Sequence, residues 1–183
     1  MSTLLPAIEL NTNRDPLASV IWLHGLGADG NDFVPLVKEL GLAEDQPIRF
    51  IFPHAPMRPV TINNGYVMRA WYDLGMGPSG LTSKEEHIRE SQKAIEALIE
   101  QEVRRGVPTE KIILAGFSQG GVIALQTGLR YPKKLGGILA LSTYLALPNL
   151  LAAERSEANR AIPIYMAHGL DDQIIPLAMA TYS

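Results

Sequence analysis

The 183 residues carry sixteen Lys and Arg against nineteen Asp and Glu, a formal charge of −3, with 46% hydrophobic and 19% charged residues. This is an ordinary soluble composition, so residues 1–183 are read as one domain with a real core, and so mild an acidic balance gives no reason to expect nucleic acid or an anionic membrane as partner. The chain has no cysteine, which excludes disulfides, a thiol nucleophile and cysteine-ligated metal.

Met1 to Leu10 lacks the basic start and long apolar run of a secretory leader. No apolar run reaches the roughly 18 residues that a membrane span needs. The expected compartment is therefore the cytoplasm. Ser19 to His24 is a short apolar run ending at Gly25, the pattern of a buried strand. Phe33 to Leu40 reads as a short helix closed by Gly41, and Ile48 to Phe52 as a second strand stopped by Pro53. From Pro53 to Gly80 runs a long connection with four prolines and four glycines; its apolar and aromatic residues mark it as functional rather than disordered.

Lys84 to Arg105 is the clearest helix. Ser83 and Glu86 form a capping box, Arg104 and Arg105 fall in the last turn, and Gly106 and Pro108 end it. Ile88, Ile95, Leu98, Ile99 and Val103 supply its apolar stripe. Ile112 to Gly116, Gly137 to Ser142 and Ile162 to Ala167 are three more aliphatic runs, separated by helix signals at Gly120–Arg130 and Leu147–Ala153. Aliphatic strands alternating with helices predict an α/β fold with a mostly parallel sheet covered by helices on both faces.

Gly116-Phe117-Ser118-Gln119-Gly120 matches G-x-S-x-G. It follows a strand and opens a helix, the setting of a nucleophile elbow. Side chains at Gly116 or Gly120 would collide with the neighbouring strand and helix, and the helix N-terminus favours negative charge developing at Ser118. His24-Gly25-Leu26-Gly27 ends the first long apolar strand, where the second donor of an oxyanion hole is expected. The amides of Leu26 and Gln119 are thus the candidate oxyanion donors, with His24 a structural holder of the loop.

These segments, with Pro53-His54-Ala55-Pro56, Arg58-Pro59-Val60-Thr61, Ala70-Trp71-Tyr72-Asp73, His168-Gly169 and Asp172-Gln173-Ile174-Ile175-Pro176, resemble the serine carboxylesterase and acyl-protein thioesterase (lysophospholipase-like) family of α/β-hydrolases, from about residue 5 to residue 179. The resemblance implies an ester or thioester hydrolase for short to medium acyl chains, working through a serine acyl-enzyme without cofactor or metal. It makes Ser118 the nucleophile and Asp172 the acid, four residues before Pro176, with Asp171 the rival. It places Trp71 and Leu74 on the acyl pocket, and leans toward a homodimer.

The family's order puts a histidine after the acid, and none of the four histidines follows Asp172. His54 and His168 read as structural and His87 as solvated. Against the family pattern the chain lacks the last strand and C-terminal helix, so the base is expected from a longer parent chain or another subunit. The alternatives are a catalytically weak, truncated protein that binds acyl ligands or self-associates, and a lactone or dienelactone hydrolase.

Overall fold

Aliphatic runs of four to six residues, each bounded by glycine, proline or a polar turn, are long enough to cross a sheet and too short for a buried helix. The computed structural model describes residues 4–42, 46–78 and 80–183. Met1–Thr3, which open the segment read for a leader, and Ser79 of the long connection lie outside the described residues. In chain order the strands are β1 (Ala7–Asn11), β2 (Ala18–Leu23), β3 (Ile48–Pro53), β4 (Met57–Val60), β5 (Tyr66–Arg69), β6 (Leu74–Gly77), β7 (Gly80–Ser83), β8 (Ile112–Phe117), β9 (Gly137–Leu141) and β10 (Ile164–Ala167). The helices are α1 (Leu36–Glu39), α2 (Glu85–Arg104), α3 (Gln119–Gly128), α4 (Pro148–Glu154) and α5 (Leu177–Thr181).

The main sheet runs β1-β3-β2-β8-β9-β10. All neighbours are parallel except β1, which pairs antiparallel with β3. The five expected strands are β2, β3, β8, β9 and β10. β1 was not expected: its apolar residues Ile8 and Leu10 are too few for a buried run, and an edge strand half open to solvent needs no more.

Ile88, Ile95, Leu98 and Ile99 of α2, with Val122, Ile123 and Leu125 of α3, pack on Ile21, Leu23, Leu114 and Ile138. On the other face Val37 of α1 joins Trp22, Phe50 and Phe52, and Phe33 stacks on Trp22 with ring centroids 5.1 Å apart. An apolar groove of about 490 Å³ is lined by Val20, Trp22, Ile113, Leu139, Ile164 and Tyr165. It draws on the amino ends of the parallel strands, the edge of the sheet opposite Ser118.

The long connection holds two antiparallel hairpins, β4–β5 and β6–β7. The first turns at Asn64 (φ 55°) and Gly65 (φ 76°), the left-handed pair that a tight hairpin demands. The Ser83–Glu86 capping box does not form. Ser83 is taken up in β7 opposite Leu74, and the α2 N-cap is Lys84, without a side-chain cap. Only Leu36–Glu39 of the expected Phe33–Leu40 helix is α-helical.

Glu154 locks α4 to the two long helices. It accepts from Arg89 of α2 at 2.6 and 2.9 Å and from Arg130, just beyond α3, at 2.6 Å. The two guanidiniums lower its pKa to about 2. A carboxyl whose folded pKa is depressed contributes stability above its unfolded pKa and loses it as pH falls through the folded one. Glu154→Gln is therefore expected to cost about 1–2 kcal/mol at pH 7, discounted for partial exposure, and to flatten the acid limb of stability between pH 4.5 and 2. Urea midpoints across that range check it, and parallel curves for the two proteins would refute it.

Candidate active site

Ser118 sits where β8 ends and α3 begins, and its backbone is held at φ 52°, ψ −121°. A non-glycine residue there is strained by about 1–3 kcal/mol and persists only where its surroundings impose it. Those surroundings are specific. The Ser118 amide donates to Leu141 O at 2.9 Å, its carbonyl accepts from the Thr143 hydroxyl at 2.8 Å, and the Val122 amide donates to the same carbonyl at 3.2 Å. A Cβ on Gly116 would stand 2.4 Å from the Gly120 carbonyl, and one on Gly120 would stand 2.4 Å from Leu23 O. The turn is close-packed backbone on backbone, so only glycine fits at either flank.

The Leu26 loop is fixed from three sides. Gly27 N donates to Arg69 O at 2.9 Å and Ala28 N to Gly25 O at 3.3 Å. His24, buried, accepts from Ala55 N through Nε2 at 3.0 Å, so its Nδ1 carries the proton that is given to Gly25 O at 2.7 Å. Burial lowers the His24 pKa and keeps the ring neutral in this role. Among the described residues neither the Leu26 nor the Gln119 amide has an acceptor. Both residues line one cavity with Ser118. Two N–H groups that the fold leaves unspent beside a hydroxyl are what an oxyanion hole requires.

That cavity, about 280 Å³, is walled by Leu26, Ile62, Leu74, Met76, Leu81 and Ile175, with Tyr72 and Tyr144 among its other lining residues. Leu74 lines it. Trp71 does not: it is 0% exposed and packed in the core. Its indole N–H donates to His24 O at 2.9 Å and its amide to Gln119 Oε1 at 2.7 Å. The physical reason is the indole N–H, which a buried tryptophan usually pairs and which this one pairs on the loop carrying Leu26. It braces the site from behind.

The Gln119 side chain, not singled out by sequence, closes the same brace. Its amide takes the Trp71 N–H and gives Nε2–H to Tyr72 O at 2.8 Å. Gln119→Leu would leave both backbone groups buried and unpaired. Such groups cost about 1–3 kcal/mol each, so a Tm lower by at least about 4 °C is expected. A thermal scan matching the wild type would remove the brace from the account.

Asp172 shares a second cavity, about 220 Å³, with Ser118, Phe117, Ser142, Ile174 and Ile175. Its Oδ1 accepts from Ile174 N and Ile175 N, each at 2.9 Å. These two N–H groups hold its pKa below the ordinary carboxylate value, so it is ionised at neutral pH. Its rival Asp171 is exposed and lines neither cavity with Ser118.

The four histidines are spoken for elsewhere. His168, with its side chain 6% exposed, gives Nε2–H to Ile175 O at 2.7 Å and lies 3.6 Å from Asp172 Oδ2, so it closes the acid's own turn. His54 Nδ1 accepts from Gly30 N at 3.1 Å. His87 is partly exposed, and its Nδ1 accepts from Asp73 N at 3.2 Å; partial burial lowers its pKa. Among the described residues no side chain hydrogen-bonds Ser118 Oγ, and none groups three or more metal-binding side chains.

Comparison with known proteins agrees with this geometry. Residues 7–183 match the phospholipase/carboxylesterase family. Acyl-protein thioesterase 1 of Yarrowia lipolytica is 37% identical over 172 residues, 93% of this chain and 76% of its own length. Carboxylesterase SOBER1 of Arabidopsis thaliana is 36% identical over 158 residues, 85% of this chain and 69% of its own. The SOBER1 crystal structure superposes with a TM-score of 0.83 over 90% of this chain and 80% of that one. Zea mays acyl-protein thioesterase 2 gives 0.83 at 25% identity, over 97% and 81%. The chain belongs to the phospholipase/carboxylesterase family, α/β-hydrolase-fold serine esterases and thioesterases.

Proposed function

We propose that this carboxylic-ester hydrolase works through an acyl-enzyme on Ser118. Ser118 Oγ attacks the ester or thioester carbonyl carbon, and its proton passes to a base oriented by the Asp172 carboxylate. The Leu26 and Gln119 N–H groups hold the carbonyl oxygen as it becomes an oxyanion. Collapse breaks the bond to the alcohol or thiol, which leaves with the proton. Water, deprotonated by the same base, then attacks the acyl-serine and frees the acid. The base is none of the four histidines in the places they occupy. The observation that carries the reading is the strained Ser118 lining an apolar cavity together with Leu26 and Gln119, whose amides have no acceptor among the described residues. The acyl chain lies along Leu74, Met76 and Leu81, which suits short to medium chains.

Each methylene buried there is worth up to about 0.8 kcal/mol, about fourfold in kcat/KM. Ser118-dependent hydrolysis of p-nitrophenyl esters is therefore expected to rise from acetate through butyrate to hexanoate and to flatten in Leu74→Asp. A series already flat in the wild type would defeat the assignment of this cavity to the acyl chain.

Among the described residues no helix is long and apolar enough to cross a membrane. The cytoplasm is our reading for its compartment, resting on the absence of cysteine. We also read the chain as a homodimer, on the exposed Ile164, Tyr165 and Met166 of the edge strand β10; light scattering after size exclusion decides it.

A further inference from the structure

The cavity beside Ser118 is apolar except at a few points, and one of these is a matched pair. Tyr72, from the segment between β5 and β6, and Tyr144, from the loop after β9, bring their hydroxyl oxygens to 3.2 Å. Both residues line the cavity. In a hydroxyl pair one O–H is spent on the partner, while the accepting oxygen keeps a proton of its own. Among the described residues neither hydroxyl has another partner. Burial raises both phenol pKa values, so neither tyrosine ionises in the working range and the pair remains a donor. One phenolic O–H is therefore unspent in a cavity whose other walls are mostly Leu, Ile and Met. A site that offers a buried donor discriminates against chains that leave it unpaired far more sharply than an apolar wall discriminates by size.

Resting on the reading of this cavity as the acyl pocket, we propose that it selects oxygenated acyl chains. An oxo, hydroxyl or ether oxygen on the chain accepts the unspent O–H of the Tyr72–Tyr144 pair, and such chains are bound in preference to plain alkanoyl chains of the same length. Of the other polar side chains that line it, Ser118 is the nucleophile, Gln119 is spent on Trp71 N and Tyr72 O, and Gln173 is exposed.

The product acids test this without requiring turnover. Dissociation constants for hexanoate and for 3-, 4- and 5-oxohexanoate are measured on the 183-residue protein by NMR titration. At least one oxo isomer is expected to bind about fivefold more tightly than hexanoate, the worth of one net hydrogen bond. Either single Tyr→Phe variant keeps one free O–H, at one oxygen or the other, so the decisive protein is the double variant Tyr72→Phe/Tyr144→Phe. The preference, read as a ratio within each protein, should vanish there. Three results overturn the proposal: no oxo isomer favoured by the wild type, a preference that survives in the double variant, or one lost in Gln173→Ala instead. If the double variant fails to fold, wild-type ratios that favour no oxo isomer still overturn the proposal. Failure of hexanoate itself to bind, or its equal binding to Leu74→Asp, would instead remove the acyl-pocket reading on which this rests.

Discussion

Ser118→Ala is expected to abolish acyl transfer while leaving the fold intact. The substitution deletes one oxygen that makes no hydrogen bond among the described residues, and alanine demands no more of the strained φ of 52° than serine does. The size of the loss depends on the base. A serine hydrolase with its full catalytic set loses about 10⁶ in turnover when the nucleophile goes, and an oxyanion hole with substrate binding alone supplies about 10³–10⁴ over water. His24, His54, His87 and His168 are all bonded elsewhere. The 183-residue chain assayed alone and its alanine variant both keep what the oxyanion hole and binding supply, so the fall is expected well below 10⁶. Imidazole added to the buffer can enter the 220 Å³ cavity that Ser118 and Asp172 share and accept the serine proton. It should raise the Ser118-dependent rate and do nothing beyond its solution background in Ser118→Ala. Mass spectrometry after p-nitrophenyl acetate should find the acetyl group on Ser118. An alanine variant as fast as the wild type in imidazole, with no acetyl group found on Ser118 in the wild type, would end the nucleophile assignment.

What could be read before the fold was known follows a physical line. The elbow was legible because its constraint is local. Gly116, Ser118 and Gly120 lie within one turn of chain, and each glycine answers to a clash within that turn or with the strand beside it. The main strands were legible because five aliphatic runs admit few alternatives to a parallel sheet. Trp71 was misplaced because its destination is set by His24 and Gln119, 47 and 48 residues away, and composition does not say which side of a loop an indole faces. The bond from the Asp73 amide to His87 is hidden from the sequence for the same reason, Asp73 being on a separate element. The two hairpins of the long connection fell short of any strand run, although Asn64-Gly65 was a usable turn signal. The Ser83 cap failed where a hairpin claimed the residue first.

Gly120→Ala is the second substitution expected to act strongly, and here through the fold. A Cβ at position 120 would lie 2.4 Å from Leu23 O and 2.5 Å from His24 O. Both are backbone atoms, at the end of β2 and on the loop carrying Leu26, so no rotamer change relieves the overlap. Either α3 moves away from the sheet or the Leu26 loop moves away from Ser118. Overpacking a tight core costs about 1–3 kcal/mol, and a contact with backbone on both sides belongs at or above the top of that range. A loss of about 3 kcal/mol corresponds to a Tm lower by about 6–12 °C in a chain of this size. Gly169→Ala is the matched control. Its Cβ would meet only Asp172 atoms at 3.8 and 3.9 Å, so its stability should stay within about 0.5 kcal/mol of the wild type. Equal melting of the two variants would mean that the elbow relaxes freely, and that Ser118 owes its backbone geometry to something other than the packing of Gly120 against β2. A cooperative loss confined to Gly120→Ala would tie the oxyanion loop, the first turn of α3 and the nucleophile into one mechanical unit, in which the geometry for chemistry and the stability of the sheet rest on the same missing side chain.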